Sequence, residues 1–275
     1  MLQLTHLSGF GANSGSSDTA QFLYDQIVRR SLTTGLQLCL DAGDSRCYNG
    51  TSQVWTDASG NGHNFERGID ASVGSDDPSW TGSIGSWSDS TYFAFDGTQF
   101  FSPEAFHTFA DGWHKNNGVF TMLAIIYIPT MTQAQLIFST RNGAVADAGV
   151  NFRVSSSGPL TCYKSSSTTT RDQPESVATV TQDSWNFLAV SFDEATTTMR
   201  MQINGTAETP TASASTDTDN ITQPIVIGSR PDLNAGAMIQ NGTRLAAFAA
   251  WNSALNATAL ANLYADAKTR IPSIP

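Results

Sequence analysis

The chain has 275 residues, 40% apolar and only 14% charged, with a formal net charge of -10. Phosphate binding needs clustered Lys and Arg, yet the lysines are Lys115, Lys164 and Lys268 alone and the arginines are scattered apart from Arg29-Arg30, which argues against a nucleic-acid partner. No apolar run approaches the 18 or so residues a membrane-spanning helix needs, the longest being residues 120–128 (FTMLAIIYI).

Residues 1–17 are rich in Gly and Ser and have no hydrophobic period, so they are expected to form an extended arm. The start, MLQLTHLSGFGANSG, has neither the basic region nor the apolar stretch of a secretory signal. A short helix is predicted over residues 19–30, with Asp18 as cap and Arg29-Arg30 at its negative end. Leu23 and Ile27, and Tyr24 and Val28, stand four apart and give it one apolar face. That face either packs on its own domain or, together with the arm, attaches the protein to a neighbour.

From Gly35 the period becomes that of strands. Residues 36–42 (LQLCLDA) alternate Leu36, Leu38 and Leu40 with Gln37, Cys39 and Asp41. Residues 54–66 read as a strand end followed by a Gly-rich turn, and further strands are predicted around residues 91–101, 120–128, 134–140, 149–156 and 158–167, with a turn at Asp96-Gly97. Residues 185–205 (WNFLAVSFDEATTTMRMQING) read as a hairpin in which Leu188, Val190 and Phe192 face Met199, Met201 and Ile203. Residues 207–219 read as a long loop, residues 225–229 and 243–251 as the last strands. A closing helix is capped by Asn256, stapled by Leu255 and Leu260, and buries Leu260, Leu263 and Tyr264. About ten closely spaced strands without βαβ alternation indicate an all-β sandwich.

The cysteines are three. Cys39 and Cys47 are close enough in sequence to pair, which would leave Cys162 alone; reduced thiols serving as small core residues is the reading preferred. No CxxC occurs and His6, His63, His107 and His114 do not cluster with cysteines, which gives no zinc pattern.

Five segments, in order, resemble the concanavalin A-like lectin/glucanase superfamily in its laminin G-like form: LCLDAGDSRCYNG with VWTDASGNGHNF, YFAFDGTQFF, the Trp185 strand ending in MRMQINGT, IVIGSRP, and RLAAFAAWNSALNATALANLY. The resemblance covers roughly residues 35–270 and implies a jelly-roll antiparallel β-sandwich, flanked by a short N-terminal and a short C-terminal helix. It divides the chain into an arm and helix at 1–34 and a sandwich at 35–275. Such domains occur in bacteriophage particles, and a polar leader with no export signal is consistent with that setting. The implied role is a non-catalytic protein of a virion surface, such as a capsid decoration, head fibre or tail-associated subunit. Its partners would be capsid or tail subunits and further copies of itself. The alternative is a carbohydrate-binding adhesion module.

The superfamily also contains glycosidases, and its bacterial glucanase branch places acids on one strand as Glu-x-Asp-x-x-Glu. The glutamates here, Glu66, Glu104, Glu175, Glu194 and Glu208, do not have that spacing. Asp193-Glu194 falls in a hairpin turn, where acids are expected to solvate the bend. In DASGNG, the residues Asp57, Ser59 and Asn61 have the spacing of the first half of a calcium loop, but position twelve is Gly68. Asp44 and Asn64 are the candidates to complete a calcium site; the other reading is a turn whose side chains bond their own backbone. Trp80 and Trp87, in the Ser/Gly/Asp-rich stretch DDPSWTGSIGSWSDS, are the main candidates to stack on sugar rings, with Trp55 and Trp113 next. Equally, these rings would cover a sandwich edge or a subunit contact. Trp185 and Trp251 are expected in the core.

Overall fold

The structure is a computed structural model that describes residues 22–142, 147–165, 171–214, 217–233 and 238–275. Its elements open with helix α1 (Leu23–Arg29) and strands β1 (Leu36–Asp41), β2 (Val54–Trp55), β3 (Phe65–Arg67), β4 (Ser79–Thr81), β5 (Tyr92–Ala94), β6 (Phe101–Pro103), β7 (Val119–Ile128) and β8 (Gln135–Ser139). They continue with β9 (Gly149–Val154), β10 (Pro159–Ser165), β11 (Arg171–Asp172), β12 (Glu175–Thr179), β13 (Ser184–Asp193), β14 (Thr198–Ile203), β15 (Thr206–Glu208), β16 (Val226–Ile227), β17 (Arg244–Trp251) and helix α2 (Ala257–Arg270).

The strands form two sheets. One has the order β15-β14-β13-β7-β17-β5-β4, with β1 also paired to β17; the other runs β11-β10-β9-β8-β16-β6-β3-β2, with β12 also on β10. The pairings of named strands are antiparallel throughout. This is the all-β jelly-roll sandwich expected.

Alternation along the central strands builds two cores at once. On β7, Phe120, Met122, Ala124, Ile126 and Ile128 point between the sheets, while Leu123 and Ile125 point out under the helices. On β13, Leu188, Val190 and Phe192 point in, and Trp185, Phe187 and Ala189 point out. The first sheet is therefore covered on both faces, which is why residues 122–128 (MLAIIYI) are apolar on both sides of the strand. On β17, Leu245 and Phe248 share the inner core although they are three apart, because a bulge between Leu245 and Ala247 inserts one residue. A register shift between Leu36 and Leu38 acts likewise on β1: Leu38 and Leu40 face the inner core, but Leu36 joins the outer one. The single face predicted for these three leucines is corrected on that ground.

The outer core is closed by the two helices. Asn256 caps α2 by accepting from Ala259 N at 2.8 Å, as the sequence predicts. Leu255, Leu260 and Leu263 are buried beneath it, and Tyr264 is half-buried. Helix α1 begins at Leu23, whose N–H donates to Asp41 on β1 at 3.0 Å; the predicted cap Asp18 and the arm 1–17 lie outside the described residues. Arg29 and Arg30 both pair with Asp266 of α2, at 2.8 and 2.5 Å, and so join the helices. Strands β4, β11, β12 and β15 are two to five residues long; β4 lies in the Ser/Gly/Asp-rich stretch and β15 mostly in the predicted loop 207–219, while no element was expected at β11 and β12.

Candidate functional site

Strand β4 lies at the edge of the first sheet, and Trp80 pairs there with Phe93 of β5. The indole N–H of Trp80 donates to Ala42 O at 3.0 Å, so the polar end of the ring is tied down. One side of the ring rests on Tyr48, 5.5 Å away at 47°. Tyr48 in turn packs edge-on against Phe93 in the core. Trp80 as a whole is half-buried, packed on the inner core, and Ile84, itself at the surface, lies with it around Gly50.

Gly50 keeps that edge clear. It holds φ +92°, a left-handed conformation that favours glycine. A Cβ there would stand 3.6 Å from Ile84 Cγ1 and 3.9 Å from Trp80 Cζ3, filling the space over the ring edge. Behind the ring, Arg67 donates to Pro78 O at 2.9 Å and to Gln53 Oε1 at 3.1 Å, while Gln53 donates to Asp77 at 2.6 Å. The end of β3 and the segments around Gln53 and Asp77-Pro78 are thus fixed to one another. The arrangement offers a fixed, partly apolar ring edge, a surface suited to stacking on a sugar ring. Tyr48, Gly50 and Ile84 were not legible as parts of it, because their only sequence signal is membership of turn-rich stretches.

The other tryptophans singled out are elsewhere. Trp55 is in the inner core, 4.7 Å from Phe93 and 4.9 Å from Phe101. Trp113 is 1% exposed, stacks between Phe120 and Phe138, and donates to Asn252 Oδ1 at 2.6 Å. Trp87 is 7% exposed within the outer core. Burial removes Trp55, Trp87 and Trp113 as stacking surfaces and corrects that expectation. Trp185 and Trp251 are core residues as expected.

The proposed calcium donors are already engaged. Asp57 Oδ1 accepts from Cys39 N at 2.9 Å and Ser59 N at 2.8 Å; Oδ2 accepts from Ser59 Oγ at 2.6 Å and His63 N at 3.2 Å. These four bonds take up the capacity of the carboxylate. Asn61 turns its NH2, not its oxygen, to Leu36 O and Gln37 O. Asp44, almost wholly buried, holds Arg46 through Nε at 2.8 and 2.9 Å. In this arrangement Asp57, Ser59, Asn61 and Asp44 are bonded within the protein, the pattern of the turn reading. Among the described residues no group of three or more His, Cys, Asp and Glu is placed to hold a metal.

The attachment face is also divided. Leu23 and Ile27 are buried in the outer core, and half-buried Tyr24 lies under the Arg46 guanidinium at 5.2 Å. Val28, 48% exposed, is the one of the four left at the surface. Glu194 does not solvate a bend: it is buried and pairs with Lys164 at 2.9 Å.

Register also creates a carboxylate neighbourhood that sequence spacing hides. Glu66 pairs with Ser102, two residues before Glu104. Burial, then the nearby charges of Glu104 and Asp70, push Glu66 above the usual carboxylate range. Glu104 accepts from Asn64 Nδ2 at 2.8 Å.

More than half of the chain, residues 106–261, matches the family model described as the concanavalin A-like lectin/glucanases superfamily. The chain belongs to this superfamily. The first segments of the resemblance, before residue 106, lie outside the matched span. No curated protein matches the chain in sequence. Among solved structures, the receptor-binding domain of botulinum neurotoxin type G superposes with a TM-score of 0.56 at 14% identity, over 84% of this chain and 51% of that one. A botulinum neurotoxin type C structure, whose cell entry depends on interaction with two ganglioside molecules, gives 0.57 at 12%, over 86% and 52%. A Trypanosoma rangeli sialidase mutant displaying trans-sialidase activity gives 0.53 at 9%, over 88% and 37%. This member of the superfamily spans about half the length of those chains or less, and at these identities the likeness is one of fold.

Proposed function

We propose that the chain is a non-catalytic, lectin-like sandwich that binds glycans at the rim built around Trp80. The observation that carries this reading is the half-buried Trp80 at the sheet edge, fixed through its indole nitrogen, with Gly50 leaving the ring edge uncovered. The ganglioside interaction of the botulinum type C protein gives the reading support from a relative in fold. A glycan array and titration test it. Wild type is expected to bind a subset of glycans, Trp80→Phe to keep most of the affinity, and Trp80→Ala to lose at least about tenfold, as expected for a stacking ring. Addition of a chelator should change nothing. Absence of binding by wild type, or full binding by Trp80→Ala, refutes the rim. Release of sugar by wild type but not by Glu66→Gln would replace binding with hydrolysis.

We propose, as the setting of this activity, a bacteriophage particle surface to which the leader 1–17 attaches the sandwich in several copies. The support is the laminin G-like resemblance together with the Gly/Ser-rich leader. A chain lacking residues 1–17 should fold and no longer decorate particles; decoration by the truncated chain sinks this setting.

A further inference from the structure

Strands β14 and β15 and the first turn of α2 border a small cleft of about 120 Å³, lined by Arg200, Gln202, Glu208, Thr209, Ala257 and Leu260 among others; both carboxylate oxygens of Glu208 accept from the amides of Val177 and Ala178. We propose that this cleft binds a small hydroxycarboxylate, with Arg200 and the first-turn amides of α2 taking the carboxylate and Gln202 taking the neighbouring hydroxyl.

The argument starts from strand register. Gln202 pairs with Ala207, and the bridge between Thr198 and Thr211 continues the same register, which sets Arg200 opposite Thr209. Met199, Met201 and Ile203 point into the sandwich, so Arg200 and Gln202 point the other way, towards α2. Gln202 is 2% exposed, and its Oε1 has no hydrogen-bond partner. A buried amide oxygen without a donor costs on the order of 1–3 kcal/mol, so a ligand hydroxyl that donates to it gains where water is poorly admitted. Arg200 stands at the same wall and has no ion-pair partner among the described residues. Helix α2 adds the third feature. Its cap, Asn256, takes Ala259 N, and no residue within the helix can accept from the amides of Ala257 and Thr258. A guanidinium and a helix N-terminus favour an anion; the unpartnered amide oxygen beside them demands a donor. A carboxylate with an adjacent hydroxyl supplies both. The volume is well below the 300–1,000 Å³ or so of pockets for larger ligands, and it suits one such group, free or carried on an acidic sugar.

Titration of the full chain by calorimetry with glucuronate, lactate and neutral glucose separates these sources. Both acids are expected to bind, and glucose at least about tenfold more weakly. Preference for glucuronate assigns an acidic sugar, and preference for lactate assigns a free hydroxy acid. Arg200→Gln, at a partly exposed position, should lower affinity for both by about tenfold or more. Gln202→Leu should weaken it several-fold with the unfolding midpoint unchanged or raised; if that variant does not fold, Gln202→Glu should weaken it by repulsion. Trp80→Ala should leave it untouched, which separates this site from the Trp80 rim. No binding of either acid up to about 10 mM, equal binding of glucose, or unchanged affinity in Arg200→Gln overturns the proposal.

Discussion

Asp41 sits fully buried at the end of β1, where its carboxylate accepts from Leu23 N and from Gly43 N, each at 3.0 Å. Burial outweighs those two bonds, and with the nearby charge of Asp44 it raises the carboxyl to about 7 from its ordinary 3.8. Between these values the folded chain holds a proton that the unfolded chain has released, so stability falls as pH rises from 4 to 7 and levels off above. The span amounts to at most about 4 kcal/mol. Asp41→Asn is expected to flatten this part of the profile, read as unfolding midpoint against pH from 4 to 8; an unchanged slope shows that other groups set it. The alternation of residues 36–42 places Asp41 among the strand's polar positions. That pattern cannot say that α1 would cover the position, since the contact joins residues 18 apart with no shared periodicity. Trp113 shows the same limit: the sequence offers it as a ring to stack on sugar, and packing against Phe120 and Phe138 buries it.

Short strands close the open side of the sandwich. Glu208 on β15, at the edge of one sheet, accepts from the consecutive amides of Val177 at 2.5 Å and Ala178 at 2.7 Å on β12 of the other. Val177 is 91% exposed, so this edge would present free amides beside an apolar side chain if the carboxylate were removed. Glu208→Ala is expected to cost about 1 kcal/mol in denaturant titration and to raise light scattering on concentration. Nearby, Lys164 of β10 meets Glu194 at 2.9 Å and Ser213 O at 2.8 Å, over the Phe192 ring at 3.7 Å. Glu194→Gln leaves a buried ammonium without its counter-charge and should destabilise by about 3–5 kcal/mol; a change below 1 kcal/mol or so would mean that water reaches the amine. The long strands and α2 were legible because seven or more residues of alternating or helical period average out local noise. The clamps were not, because β12 and β15 have too few residues to show a period, and their partners lie in the other sheet.

Three layers make up the molecule: two helices, a sheet apolar on both faces, and a second sheet. Helix α1 contributes Leu23 and Ile27 to the shared outer core with Trp251 and Leu260. Truncations before residue 22 and before residue 35 isolate that contribution. Removing residues 1–34 also strips those two side chains and should cost about 3–6 kcal/mol, measured as a shift in denaturant midpoint at constant slope. Equal stability of the two truncations would show that α1 contributes nothing to the sandwich. The fold was readable in the ordered run of strands from Gly35 onward, whereas the proposed binding surface arises where segments distant in sequence meet at Trp80, and no local pattern records that meeting.

The thiols of Cys39, Cys47 and Cys162 are all free and buried, and burial lifts each of them far from the thiolate form. Maleimide dyes need an accessible thiolate. The folded protein should therefore ignore them, and a single cysteine engineered beside Trp80 or Arg200 would accept one fluorophore at one address, turning either surface into an optical reporter of its own occupancy.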